Sequence, residues 1–144
     1  MTMDIHQLIE FITNHAMLAL ALVVILAMLV GGELRQRLGG VRDIGPQDAT
    51  RMLNHDNAIM IDMRNEKDYR SGHIVNAVHA PDLDKNIGQL EKYRKQPLIV
   101  YCRSGHQSTG ACRRLRKQGF EPVYNLKDGI QGWQRADLPL SKSR

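Results

Sequence analysis

Residues 97–109 read PLIVYCRSGHQST. An apolar run of strand type ends in Cys102, small and polar residues follow, and a basic segment of helical type begins at His106. A strand that turns tightly into a helix is the building unit of a parallel α/β sheet. In an open parallel sheet, ligands bind at the carboxyl ends of the strands, and Cys102 occupies that position.

The rest of the chain from residue 42 continues the alternation. VRDI precedes GPQDATRMLNH, a predicted helix with Pro46 in its first turn. AIMID is a buried-type strand, NEKDYRSGHI a short helix and turn, NAVHAP another short strand, and NIGQLEKYRK a helix. HQSTGACRRLRKQGF is a helix closed by Gly119 as C-cap, with Phe120 placed to fold back. PVYNL is the last strand, and GIQGW opens a terminal helical turn. The pattern predicts an α/β domain with a parallel sheet. The polar tail after Trp133 is expected to fray.

The setting of Cys102 is chemical as well as structural. Backbone N–H groups in a turn and at a helix N-terminus converge on one centre and favour negative charge. Such a position lowers a thiol pKa from about 8.5 to between about 3.5 and 7.5. Arg103 adds a neighbouring cation, while Ser104 and Gly105 allow a tight curl and supply a hydroxyl. Strand-end position alone also suits an inert buried cysteine. The composition of CRSGH favours a thiolate nucleophile. Cys112 shares a helical face with Ala111, Leu115 and Gly119, so it reads as a core residue. His73, in SGHIVNA, reads as a turn-fixing residue, and His106 as a residue facing the substrate mouth.

Composition narrows the functional classes. The two cysteines stand without Cys-x-x-Cys spacing, and the six histidines form no His-x-His or His-x-x-x-His pair. That argues against a disulfide framework and a metal site. All 20 basic residues lie from Arg35 onward, and the chain beyond residue 32 holds 13 acidic ones against them, so that part carries +7. The basic residues are dispersed and no aromatic binding motif accompanies them, which argues against nucleic acid and for an anionic membrane or substrate.

The first 32 residues contain no Lys or Arg. Ala16–Val30, AMLALALVVILAMLV, is uninterruptedly apolar, and extending back to Phe11 gives twenty residues, enough for about 30 Å of helix. The acidic n-region and the missing small-x-small site set a cleaved signal peptide aside. The sequence therefore predicts a membrane anchor over 1–32 with its span at about 11–30, a juxtamembrane connector over 33–41, a domain over 42–138 and a polar tail over 139–144. Arg35, Arg37 and Arg42 flank the span, which places the N-terminus outside and the domain in the cytoplasm of an inner-membrane, single-pass protein. A reducing cytoplasm suits a free thiol.

Three segments then carry a family resemblance. CRSGHQS resembles the active-site loop of rhodanese-type sulfurtransferases. IDMRNEKDYRSGHIVNAVHAP is similar to the family's Asp-x-Arg, Tyr-bearing helix and Gly-His-Ile segment, and LRKQGFEPVYNLKDGIQGW to its closing helix, strand and Gly-Ile-x-Gly-Trp. The resemblance spans about residues 42–138 and, with the N-terminal span, extends to membrane-anchored single-domain bacterial members. It implies an open, parallel five-stranded sheet with helices on both faces. It also implies transfer of a sulfane sulfur from thiosulfate or another persulfide donor to a thiol or cyanide, through a persulfide on Cys102 and without a cofactor. The loop Arg103, Ser104, Gly105, His106, Gln107 and Ser108 would cradle that sulfur. Arg103 would hold an anionic donor, because Arg presents a fixed fork of donors. Arg64 is a second candidate, with an ion pair to Asp62, Glu66 or Asp68 as its alternative role. Gln107 departs from the family, which often has a second Arg there. The implied partners are a small-molecule or protein persulfide donor, a thiol acceptor, the lipid bilayer and a membrane protein.

Two rival functions remain in view. A cysteine phosphatase needs Cys-x5-Arg, and position 108 is Ser. A tethered interaction or regulatory module with little catalysis would not need Cys102.

Overall fold

The computed structural model describes residues 4–38 and 40–143. The chain divides into two compact units, Met1–Gly40 and Val41–Arg144.

The N-terminal unit holds two helices, α1 (Ile5–Asn14) and α2 (Ala16–Leu38). They are separated at His15, whose φ of −125° and ψ of 42° leave the helical region. The break follows the polar triplet Thr13, Asn14, His15: Thr13 Oγ1 turns back onto the carbonyls of Ile9 and Glu10 (both 3.0 Å), which competes with helix continuation. Among the described residues, Ala16–Leu34 is one helix long and apolar enough to cross a membrane, with a mean hydropathy of 2.5 and no buried residue. The expected span of 11–30 is thus shifted, because residues 11–14 belong to α1. Helix α2 also continues through the first part of the expected connector to Leu38. The side chains of Arg35 and Arg37, and residue Gly39, lie outside the described set.

The second unit is built on a five-stranded parallel sheet in the order β1 (Arg42–Ile44), β6 (Val123–Leu126), β5 (Leu98–Tyr101), β2 (Ile59–Asp62), β4 (Val78–His79). All four residues of β5 are buried, as a central parallel strand requires. Their period of two feeds both faces. Ile99 and Tyr101 join a cluster with Ala49 of α3 (Pro46–His55) and Ile130 and Trp133 of α7 (Gly129–Arg135). Leu98 and Val100 join Leu83 and Leu90 of α5 (Leu83–Leu90) and Ala111, Cys112 and Leu115 of α6 (His106–Lys117). A short helix α4 (Glu66–Ser71) follows β2.

Local chemistry sets the boundaries. Asp82 caps α5 by accepting from the Asp84 N–H, so the helix starts before the NIGQ segment. It ends at Leu90 and gives way to a single 3-10 turn, Glu91–Tyr93. Helix α6 closes as expected: Gly119 sits at φ +89°, its N–H reaches the Arg116 carbonyl, and the Phe120 N–H reaches Leu115 (3.0 and 3.1 Å). That paired pattern is the Schellman motif, and it folds Phe120 back onto the core.

The tail corrects the expectation of fraying. β7 (Leu140–Ser141) pairs antiparallel with β3 (His73–Ile74), and Trp133 Nε1 donates to the Pro139 carbonyl (3.1 Å). Leu138 and Leu140 pack on the core. Two leucines among polar residues supplied the apolar anchor that a composition average hides.

Candidate functional site

Cys102 leaves the end of β5 on the floor of a cleft of about 730 Å³, also lined by Met63, Arg64, Asn65, Asp68, Pro81, Arg103, Ser104, His106 and Gln107. The residue is only 3 % exposed. The chain after it makes one tight loop into α6, and Gly105 closes that loop at φ +92°. A Cβ on Gly105 would lie 3.1 Å from the Asp128 nitrogen and 3.2 Å from the Leu126 oxygen, so both the conformation and the space call for glycine.

The loop presents its amides to the sulfur. The Gly105 N–H donates to Cys102 Sγ at 3.2 Å, and Ser108 Oγ lies 3.3 Å from it. Burial works against the thiolate, but the Ser108 hydroxyl and the N–H groups of Ser108, Gly105 and Ser104 outweigh it, so the thiol lies below its ordinary value. The loop carbonyls point the other way. The Ile130 N–H donates to the Cys102 carbonyl (3.0 Å) and the Gln131 N–H to that of Arg103 (3.3 Å). Gly129 makes this approach possible: a Cβ there would lie 2.3 Å from the Cys102 carbonyl oxygen.

Behind Ser108 stands a buried amide. Asn125, in β6 and 2 % exposed, donates through Nδ2 to Asp43 Oδ1 (2.9 Å) and the Gly105 carbonyl (3.1 Å). Two acceptors on one side fix the amide's orientation, so its Oδ1 receives the Ser108 hydroxyl at 2.5 Å. The amide thereby ties β6 to the loop. Asn125 was missed in the sequence, although a polar amide inside VYNL, a strand of a sheet covered on both faces, signals an obligatory partner.

The remaining expected residues divide by exposure. Arg103, Ser104, His106 and Gln107 are exposed at the rim, whereas Gly105 and Ser108 are buried behind the sulfur. Arg103 Nη2 pairs with Asp68 Oδ2 at 3.1 Å. Asp68 is itself held by Asn65, which caps α4: the Asp68 N–H donates to Asn65 Oδ1 (2.8 Å) and Asn65 Nδ2 to Asp68 Oδ2 (3.1 Å). Arg64 lines the cleft with its guanidinium engaged by Asp62 Oδ2 (2.7 Å) and the Gly72 carbonyl (2.7 Å). Asp62, fully buried, also accepts from the Tyr101 hydroxyl at 2.6 Å. Of the two roles open to Arg64, the structure contains the Asp62 ion pair.

The other singled-out groups lie apart from the sulfur chemistry. Cys112 is fully buried, and burial, with Asp43 nearby, pushes its thiol up to about 12. His73 Nδ1 meets the Tyr69 carbonyl at 2.8 Å, and its ring stacks on Tyr69 with centroids 3.9 Å apart. It fixes the turn after α4. Among the described residues, no group of His, Cys, Asp and Glu could hold a metal ion.

The profile of the rhodanese-like domain family matches residues 45–136. The protein YibN of Escherichia coli K12, itself described as uncharacterized, is 30 % identical over 141 residues, covering 96 % of this chain and 99 % of that protein. GlpE of Vibrio cholerae, named a thiosulfate sulfurtransferase, is 33 % identical over 95 residues, covering 66 % of this chain and 90 % of that one. In three dimensions, a rhodanese-related protein from Thermoplasma volcanium superposes with a TM-score of 0.64 at 23 % identity, covering 71 % of this chain and 99 % of that one.

Proposed function

The chain belongs to the rhodanese-like domain family, and from that premise we propose that it is a sulfurtransferase working through a persulfide on Cys102. The Cys102 thiolate attacks the sulfane sulfur of a donor. With thiosulfate, the new bond joins Cys102 Sγ to that sulfur as the donor's S–S bond breaks, and sulfite leaves with the bonding pair. An acceptor then attacks the outer sulfur. Cyanide leaves as thiocyanate, or a thiolate takes the sulfur as its own persulfide, and Cys102 returns as thiolate. One S–S bond is exchanged in the first half, and no outside oxidant enters.

The observation that carries this reading is the donor set on the sulfur, the Gly105 N–H at 3.2 Å and Ser108 Oγ at 3.3 Å. A thiol held below its ordinary value serves as nucleophile in the first half and as leaving group in the second. The loop N–H groups from residue 103 to 108 stabilise the outer sulfur's charge, and Arg103 at the rim meets the donor. The phosphatase alternative lacks its arginine, because Ser108 fills that position and faces inward.

The apolar helix Ala16–Leu34 supports anchoring in the inner membrane, with the catalytic domain cytoplasmic. A membrane-bound partner that gives or takes sulfur would then be within reach of a tethered domain.

Mass spectrometry of the purified full chain after incubation with thiosulfate tests the reaction. One added sulfur is expected on wild type and on Cys112→Ser, and none on Cys102→Ser. A label on Cys112 would overturn the assignment.

A further inference from the structure

We infer that Asp68 is the specificity-determining residue of the cleft: paired with Arg103, it disfavours small dianionic donors and favours a sulfane sulfur carried on a larger thiol. The inference rests on the sulfur-transfer reading and names the substrate class of that site.

The first observation is charge. The two arginines that line the cleft already have carboxylate partners, Arg64 with Asp62 at 2.7 Å and Arg103 with Asp68 at 3.1 Å. Gln107, which points from the first turn of α6, is neutral. A doubly charged donor entering this cleft must take Arg103 from Asp68 while feeling the repulsion of the same carboxylate. A persulfide carries at most one charge, and its outer sulfur meets the loop amides and needs no arginine. Asp68 cannot readily withdraw, because Asn65 holds both its backbone N–H and its carboxylate at the start of α4.

The second observation is size. The cleft, open to solvent on one side, has a volume of about 730 Å³, within the range of about 300–1,000 Å³ that accommodates a whole organic ligand. Thiosulfate has a handful of heavy atoms and would leave most of that space as water. Met63 and Pro81 line the cleft and supply apolar wall for the carbon skeleton of a thiol carrier. The transfer stays balanced: the Cys102 thiolate bonds the outer sulfur of R–S–SH, the S–S bond of the carrier breaks, and R–S⁻ leaves.

The test compares two donors on the full-length protein, thiosulfate and the persulfide of an end-capped Gly-Cys-Gly tripeptide, whose charge resides on the persulfide alone. The readout is the ratio of their kcat/KM values. Wild type should favour the tripeptide persulfide. Asp68→Asn keeps an oxygen to accept from Asn65 but removes the charge, and should raise the thiosulfate-to-persulfide ratio about tenfold, chiefly through the KM for thiosulfate. High salt should shrink the difference between wild type and variant, since charges at an open cleft are screened. An unchanged ratio, with both donors still transferring sulfur to Cys102, would overturn the role of Asp68 alone. Failure of both donors to modify Cys102 would overturn the sulfur-transfer reading and this inference with it.

Discussion

Ser108 has one hydroxyl proton and two acceptors, Cys102 Sγ at 3.3 Å and Asn125 Oδ1 at 2.5 Å. With Cys102 as a thiol, the S–H can donate to Ser108, which donates to Asn125. With Cys102 as a thiolate, the hydroxyl serves the sulfur instead. Ser108→Ala removes that donor, so the thiol should titrate at higher pH. The sign follows from the chemistry: the hydrogen bond favours the charged form, and losing it favours the neutral one. Iodoacetamide alkylation followed against pH should show a midpoint below about 8.5 for wild type and a higher one for Ser108→Ala. Cys112, pushed up to about 12, stays silent in that range. A midpoint that does not move would show that the backbone amides alone depress the thiol. At this scale the lowered thiol of Cys102 was legible in CRSGH, because strand, turn and helix start are local in sequence. Asn125 and Asp43, which complete its surroundings, were not. Asn125 reaches the loop through the pairing of β6 with β5, where it stands opposite Val100, and Asp43 reaches Asn125 through the pairing of β1 with β6.

The elements show why a short terminal helix matters to a distant loop. The first amides of α7 hold the carbonyls of Cys102 and Arg103, which leaves the loop N–H groups free to face the sulfur. Gly129 sits at φ +56°, and a Cβ there would come within 2.3 Å of the Cys102 oxygen and 2.7 Å of the Arg103 oxygen. Backbone on both sides leaves nothing flexible to yield. Gly129→Ala should therefore cost about 3 kcal/mol from overpacking and left-handed strain together, read as a lower melting temperature. It should also slow alkylation of Cys102 in the molecules that remain folded. Retention of both stability and reactivity would show that the loop does not depend on α7. The sequence announced a helical turn at GIQGW, since glycine and apolar spacing are local signals. The contact that needs glycine is tertiary and left no mark in the spacing. The same limit explains the tail: Leu140 is one apolar residue near the chain end, and its value lies in pairing with Ile74, 66 positions earlier.

At the scale of the whole molecule, a domain whose Cys102 thiol lies below its ordinary value follows an N-terminal stretch without a single Lys or Arg through residue 32. The fold class was legible because short apolar runs and stretches of helical type alternate along the chain, while the apolar helix was legible in composition but not in its boundary. The sequence placed the span at 11–30. The break at His15 moves it to Ala16–Leu34, because Thr13 turns back onto its own helix. No residue of Ala16–Leu34 is buried, and an apolar helix of 19 residues left in water is costly, whereas it is stable in a bilayer about 30 Å thick. The protein should therefore remain with membranes after alkaline carbonate extraction. Arg35, Arg37 and Arg42 follow the span closely, so a reporter fused after Arg144 should show the cytoplasmic phenotype. Orientation also bears on the chemistry, since a low-pKa thiol persists in a reducing compartment and is oxidised outside it. A reporter on the outer side would contradict both the topology and the setting proposed for Cys102. Release by carbonate would contradict the anchor while leaving the sulfur chemistry of the domain to stand on its own test.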